Sequence, residues 1–275
     1  MHLRPALLAA AALAAAFGTC LTLGRWGAGG SRDLVALARS VQNGENLEAH
    51  LEAAWRRDEA KRALAAEVIA GRIGLREAAG HFRRLDEADP GFPPSTSRPA
   101  ADERAFYDRV LDCTWEVLAH EGRFAEAARW YAAVFTAHPH LLVGSPTGHR
   151  YYAAWAAVLA GRGQGRDASG LDEEGRAGLR RQALGWLRAE LEAQRRLLER
   201  EPAQEPWMIA GGLLRWLEDP HLTGVREADA LSRLPVAERQ AWQKLWADVA
   251  DTLARAQGTT VREQEAGSKV QRPEW

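Results

Sequence analysis

The stretch VLAGRGQGRDASG, residues 158–170, sets four glycines among two arginines, residue types with which a loop can wrap a phosphate. A dinucleotide fingerprint needs G-x-G-x-x-G behind a strand, and a nucleoside-triphosphate loop needs G-x-x-x-x-G-K-[ST]. Here Gly161 and Gly163 lead to Arg166 at the third-glycine position, Gly163 and Gly165 lead to Ala168, and the stretch has no lysine. The residues before it read as helix, so the spacing predicts a solvated connection between two helices. Gly161 ends the first helix in a left-handed cap, Gly163 and Gly165 let the chain reverse, and Asp172 caps the second. Arg162 and Arg166 could meet an anion only at the start of that second helix.

Other chemistry fares no better. His138, His140 and His149 fall together in AHPHLLVGSPTGH, yet no carboxylate or cysteine stands beside them at metal-ligand spacing. They read as surface or capping histidines. Cys113 lies on a predicted core stripe and not at a helix start, where a thiolate is stabilised. The chain has neither G-x-S-x-G nor H-E-x-x-H. No catalytic, cofactor-binding or metal-ligating residue is therefore assigned, and no cofactor is expected.

The elements that surround these residues are helices. Apolar residues make up 46% of the chain, but alanine and leucine dominate and β-branched runs are nearly absent. In 46–70, Leu47, Leu51, Trp55, Leu64 and Val68 form a helical stripe, with Glu52, Arg56, Arg57, Glu59 and Lys61 opposite. After Gly71 and Gly74 the pattern resumes through Leu75, Ala78, Phe82 and Leu85. Three prolines in GFPPSTSRPAAD mark a linker. A helix from near Asp102 carries Phe106, Val110, Cys113 or Thr114, and Val117, and its partner carries Phe124, Ala127, Tyr131, Val134 and Phe135.

HRYYAAWAAVLAG begins another pair. The helix after Asp172 runs to about Arg200, with Leu179, Ala183, Trp186 or Leu187, Leu191 and Leu198 inward. Its outer face is expected to be laced by Arg188 with Glu192, Glu192 with Arg196, and Arg195 with Glu199. WMIAGGLLRWL is a short apolar helix, one helical turn is expected near Ala228, and Pro235 starts a last helix carrying Trp242, Leu245, Trp246, Val249 and Leu253.

Two cysteines cannot build a disulfide framework, and 36 basic against 37 acidic residues leave a net charge of −1, which argues against nucleic acid. MHLRPALLAAAALAAAFGTCLTLG has an early arginine and then about 19 uncharged residues, close to a bilayer span. It reads as a cleaved signal peptide, with Ala28 and Gly30 before Ser31, or as an uncleaved anchor; a lipid-modified Cys20 and a buried helix are weaker readings. The eleven tryptophans are the oddest feature. Trp115, Trp130, Trp155, Trp186, Trp216, Trp242 and Trp246 read mostly as wedges between helices, with one or two exposed to anchor a partner.

Ala78, Phe82, Leu85 and Pro90 share their spacing with Ala127, Tyr131, Val134 and Pro139. Small, aromatic, aliphatic and proline residues at these offsets fit the second helix of a tetratricopeptide repeat. The copies lie 49 residues apart instead of ~34, the linker supplying most of the excess, and a generic helical bundle is the alternative. Residues 149–256, with GRGQGRDASGLDEEGRAGLRRQALGWL and EDPHLTGVREADALSRLP, resemble the C-terminal tetratricopeptide segment of planctomycete-type bacterial serine/threonine protein kinases. Where that family reads YNAAC, this chain has YYAAW, with Trp155 replacing a small cysteine. The kinase itself is missing: there is no VAIK, HRD or DFG, and HRY at 149–151 is no catalytic loop. The resemblance implies the helical scaffold and not phosphoryl transfer.

The expected fold is all-α, a short solenoid of tetratricopeptide-like hairpins with an extended C-terminal helical end. The expected domains are a signal or anchor at 1–30, a helical hairpin region at 31–90, a proline-rich linker at 91–103, a tetratricopeptide-like domain at 104–256 and a disordered tail at 257–275. The expected function is a non-catalytic scaffold for a protein or peptide partner, exported or membrane-anchored on the periplasmic side of a bacterium. A regulatory accessory of a kinase system and an unrecognised enzyme are the alternatives.

Overall fold

A computed structural model describes residues 47–88, 99–142, 148–200 and 206–270. Among them are nine α-helices and no strand. The expected signal or anchor lies outside the described residues, and no described helix is long and apolar enough to cross a membrane. The chain divides into two units, Met1–Cys113 and Thr114–Trp275.

In the first unit, α1 (Leu47–Ile69) packs on α2 (Leu75–Glu87) as a hairpin. Ala78 and Phe82 are buried as the spacing predicts, beside Ala65 and Val68 of α1. Trp55, expected on the core stripe, is instead 75% exposed. At 1.5 Å per residue, α2 is about 20 Å long against about 35 Å for α1, so it covers only the end of α1 nearer the turn. Leu85 is half-buried and its neighbour Asp86 is buried. That carboxylate takes Lys61 Nζ at 2.6 Å and Arg109 Nη1 at 3.0 Å, and the Arg109 guanidinium lies 3.9 Å from the centre of the Phe106 ring.

α3 (Pro99–His120) begins inside the stretch read as a linker, because proline at a helix start loses no hydrogen bond. Residues 91–98 of that stretch lie outside the described residues. Thr114 of α3 is buried, whereas Cys113 is only half-buried, so the thiol is not the core residue that its stripe suggested.

The second unit continues with α4 (Phe124–Ala137), a 3-10 turn (Pro139–Leu142), α5 (His149–Gly161), α6 (Glu173–Leu198), α7 (Pro206–Glu218), a second 3-10 segment (Pro220–Val225), α8 (Ala228–Ser232) and α9 (Val236–Val270). α5 is the central helix, packed against α4, α6 and the second 3-10 segment. Ala153, Ala154, Ala156, Ala157 and Ala160 are fully buried, and their small side chains let neighbours approach α5 from several sides. α9 packs on both α6 and α7, with Trp242, Leu245, Trp246, Val249 and Leu253 inward as expected.

Two expectations change here. α9 runs to Val270, through most of the tail read as disordered at 257–275. A helix already nucleated extends at little cost through Arg, Glu, Gln, Ala and Lys even without an apolar face. Of the three expected surface ion pairs on α6, Arg196 with Glu192 forms at 3.1 Å. Arg188 and Arg195 instead reach across to α9, donating to the Ala241 carbonyl at 3.1 Å and to Thr252 Oγ1 at 2.8 Å. Once α9 is alongside, backbone and hydroxyl acceptors compete with a neighbouring glutamate.

Candidate functional site

The glycine-rich connection is a latch between hairpins. Gly163, and not Gly161, is the left-handed residue, with φ +76°. Its N–H bonds the Ala160 carbonyl at 2.9 Å and the Gln164 N–H bonds that of Leu159 at 2.9 Å, closing the end of α5. Gly161 is the last helical residue of α5, and its lack of a side chain lets α6 cross there: a Cβ would stand 2.7 Å from Arg180 Cγ. The loop then folds onto the α3–α4 turn. Arg166 N–H donates to the Gly122 carbonyl at 2.8 Å, and a Cβ on Gly165, at φ +105°, would meet that oxygen at 2.7 Å.

Asp167 completes the latch. Its carboxylate accepts from Ala125 N at 3.2 Å and Glu126 N at 2.7 Å, capping α4 from 42 residues away, while Arg123 at the N-cap makes no side-chain cap bond. Asp172 caps α6 by accepting from Gly175 N at 2.8 Å, as the sequence predicts. Ala125, Glu126 and Gly175, at the starts of α4 and α6, thus give their N–H groups to the chain's own carboxylates. The Arg162 guanidinium lies across Gly224, while the Arg166 backbone and Cγ lie beside Gly122. Arg162 also lines a shallow open depression with Arg233, Glu227 and Asp229, where charges of both signs meet.

The histidines separate as well. The His138 and His140 rings meet edge to face at 5.8 Å. His149, expected at the surface or as a cap, is buried with its ring 6.5 Å from Tyr131, because it opens the central helix of the unit. Among the described residues no group of three histidine, cysteine or acidic side chains could hold a metal.

A continuous set of rings fills the second unit. Trp115 stacks on Tyr152 at 5.8 Å and lies 4.6 Å from Trp155, whose other neighbour is the His221 ring at 4.4 Å. Trp155 therefore occupies volume between α3 and the second 3-10 segment. Tyr151 stacks on Trp216 at 5.6 Å and donates its hydroxyl to Asp219. The Asp219 carboxylate also takes the His221 N–H and lies 2.8 Å from His221 Nδ1. A carboxylate holding an imidazole can serve acid–base chemistry, but here it equally caps the 3-10 segment and fixes it to α5. Sequence reasoning did not single out Tyr151, Asp219 or His221; aspartate before proline after an apolar helix is the only local signal.

Burial, followed by the hydrogen bond and negative charge of Asp219, pushes the Tyr151 hydroxyl above the ordinary tyrosine value. Its contribution to stability is complete below the unfolded value of about pH 10 and is lost as pH rises beyond it, by up to about 1.4 kcal/mol per unit. Chemical denaturation between about pH 8 and about pH 11 is expected to show a steeper alkaline loss in the wild type than in Tyr151→Phe. Equal slopes would detach the phenol from the pH dependence.

The tryptophans divide by exposure. Trp115, Trp216, Trp242 and Trp246 are buried, Trp130, Trp155 and Trp186 are half-buried, and Trp207 is 64% exposed. On the same face of α7, Met208 is 43% and Leu214 42% exposed, while Ile209, Leu213 and Trp216 turn inward. That face is the candidate interaction surface, and what it offers is apolar contact area on a packed helix. No protein-family model, curated protein or solved structure matches this chain.

Proposed function

We propose that the chain is a non-catalytic scaffold of tetratricopeptide-like helical hairpins, exported or membrane-tethered through its N-terminal segment, that holds a protein or peptide partner. The observation that carries this reading is the α7 face, where Trp207, Met208 and Leu214 stand exposed. Tryptophan is the residue type most enriched where binding energy concentrates, and an exposed one on a fixed helix loses little freedom on binding. The latch made by Arg166 and Asp167 supports the same reading, since it locks successive hairpins into one platform.

The test is site-specific photo-crosslinking in cells. A photoreactive residue at position 207 is expected to give discrete protein adducts that Leu214→Arg abolishes, and the same residue at exposed Arg181 is expected to give none. Identical adduct patterns at the two positions would remove the α7 face from the function. Turnover of a small substrate by the purified chain, abolished by Asp219→Asn, would overturn the non-catalytic part.

A further inference from the structure

The exposed face of α7 is self-complementary. At 100° per residue, Trp207, Met208, Leu214, Arg215 and Glu218 fall within an arc of about 120° centred on Gly211. An antiparallel pair of such helices, with its two-fold axis at Gly211, sets each residue k positions before 211 level with one k positions after it. Trp207 and Met208 of one copy then meet Leu214 and Arg215 of the other, and the same quartet repeats across the axis. Gly211 removes the side chain at the point of closest approach, and a Cβ there meets nothing within 4 Å in its own chain.

We infer that α7 is a homodimer contact in which two copies pair antiparallel about Gly211, each Trp207 and Met208 covered by the other copy's Leu214 and Arg215. The inference rests on the reading of α7 as an interaction surface and names its partner. Charge favours a second copy over a lipid surface. The face carries one arginine and one glutamate, and the chain's net charge is −1, so an anionic membrane gains no electrostatic attraction. A second copy instead supplies an arginine to each indole, a cation on an aromatic face. One helix pair buries less than the roughly 1,200 Å² of standard interfaces, so the expected dissociation constant is about 10–100 micromolar.

The test uses the full-length chain with Cys20→Ser and Cys113→Ser. Sedimentation equilibrium is expected to show a monomer–dimer equilibrium that Trp207→Ala weakens at least about tenfold with unchanged helical circular dichroism. Under oxidation Gly211→Cys is expected to crosslink to its own copy, because the two positions lie on the axis within disulfide reach. Glu218→Cys is expected to remain reduced, its copies lying about 21 Å apart along the helices. Equal crosslinking at both positions, or a strictly monomeric chain at about 1 mM, overturns the inference. A monomeric chain whose position 207 still crosslinks to another protein or to lipid overturns the homodimer alone and leaves the wider reading of α7 in place.

Discussion

Replacing Arg180 with methionine is expected to destabilise the second unit by about 3–5 kcal/mol, the usual cost of removing one partner from a buried ion pair. Its side chain, 5% exposed, joins three elements. From α6 it donates to the Gly161 carbonyl of α5 at 2.9 Å, to Glu238 of α9 at 2.6 and 3.2 Å, and to Glu173 at 2.8 Å. Burial alone lowers the pKa of this guanidinium; the bonds to Glu238 and Glu173 outweigh it, so the net shift is upward. Methionine fills similar volume but leaves the Glu238 carboxylate, 11% exposed, and the Gly161 oxygen without their donor. Urea denaturation followed by tryptophan fluorescence measures the loss. The double replacement Arg180→Met with Glu238→Leu is expected to recover more than half of it, since an apolar pair needs no donor. A single-variant loss below about 1 kcal/mol would mean that Arg180 behaves as an exposed charge.

Arg180 also marks the limit of what the sequence reveals. The stripe Trp242, Leu245, Trp246, Val249 is legible because each helical turn returns an apolar residue to the same side, and all four are buried. A charged residue on a helix carries no such mark. Arg180 finds Glu238 58 residues away, Lys61 finds Asp86 25 away, and Asp167 caps α4 from 42 away. In each case the local pattern is that of an ordinary solvated polar residue. The glycine-rich connection was legible as a connection, through its failed phosphate spacing, but its grip on the preceding hairpin depends on which surface the loop meets.

The candidate surface was hidden for the opposite reason. WMIAGGLLRWL is apolar nearly all round, so periodicity cannot tell the face that packs on α9 from the face left open. Trp55 shows a different gap: nine residues separate it from Leu64, about half a turn at 100° per residue, so it stands away from the face that buries Ala65 and Val68.

Trp115→Ala is expected to cost about 3–5 kcal/mol in the same urea measurement, because a large aromatic side chain leaves a cavity that packed helices cannot close. Trp115 is 1% exposed and touches rings from two other helices: Tyr131 of α4 at 6.5 Å, and Tyr152 and Trp155 of α5 at 5.8 and 4.6 Å. Trp115→Phe keeps part of that contact and is expected to lose less than half as much. Trp207→Ala removes the same atoms from a side chain that is 64% exposed, so its effect on folding is expected to stay within about 0.5 kcal/mol. The two substitutions separate the uses of tryptophan in this chain. If Trp115→Ala unfolds the unit while Trp207→Ala changes only association, one wedges the hairpins together and the other faces a partner. A large folding loss at Trp207 would make the α7 face part of the core and remove the basis for any partner there.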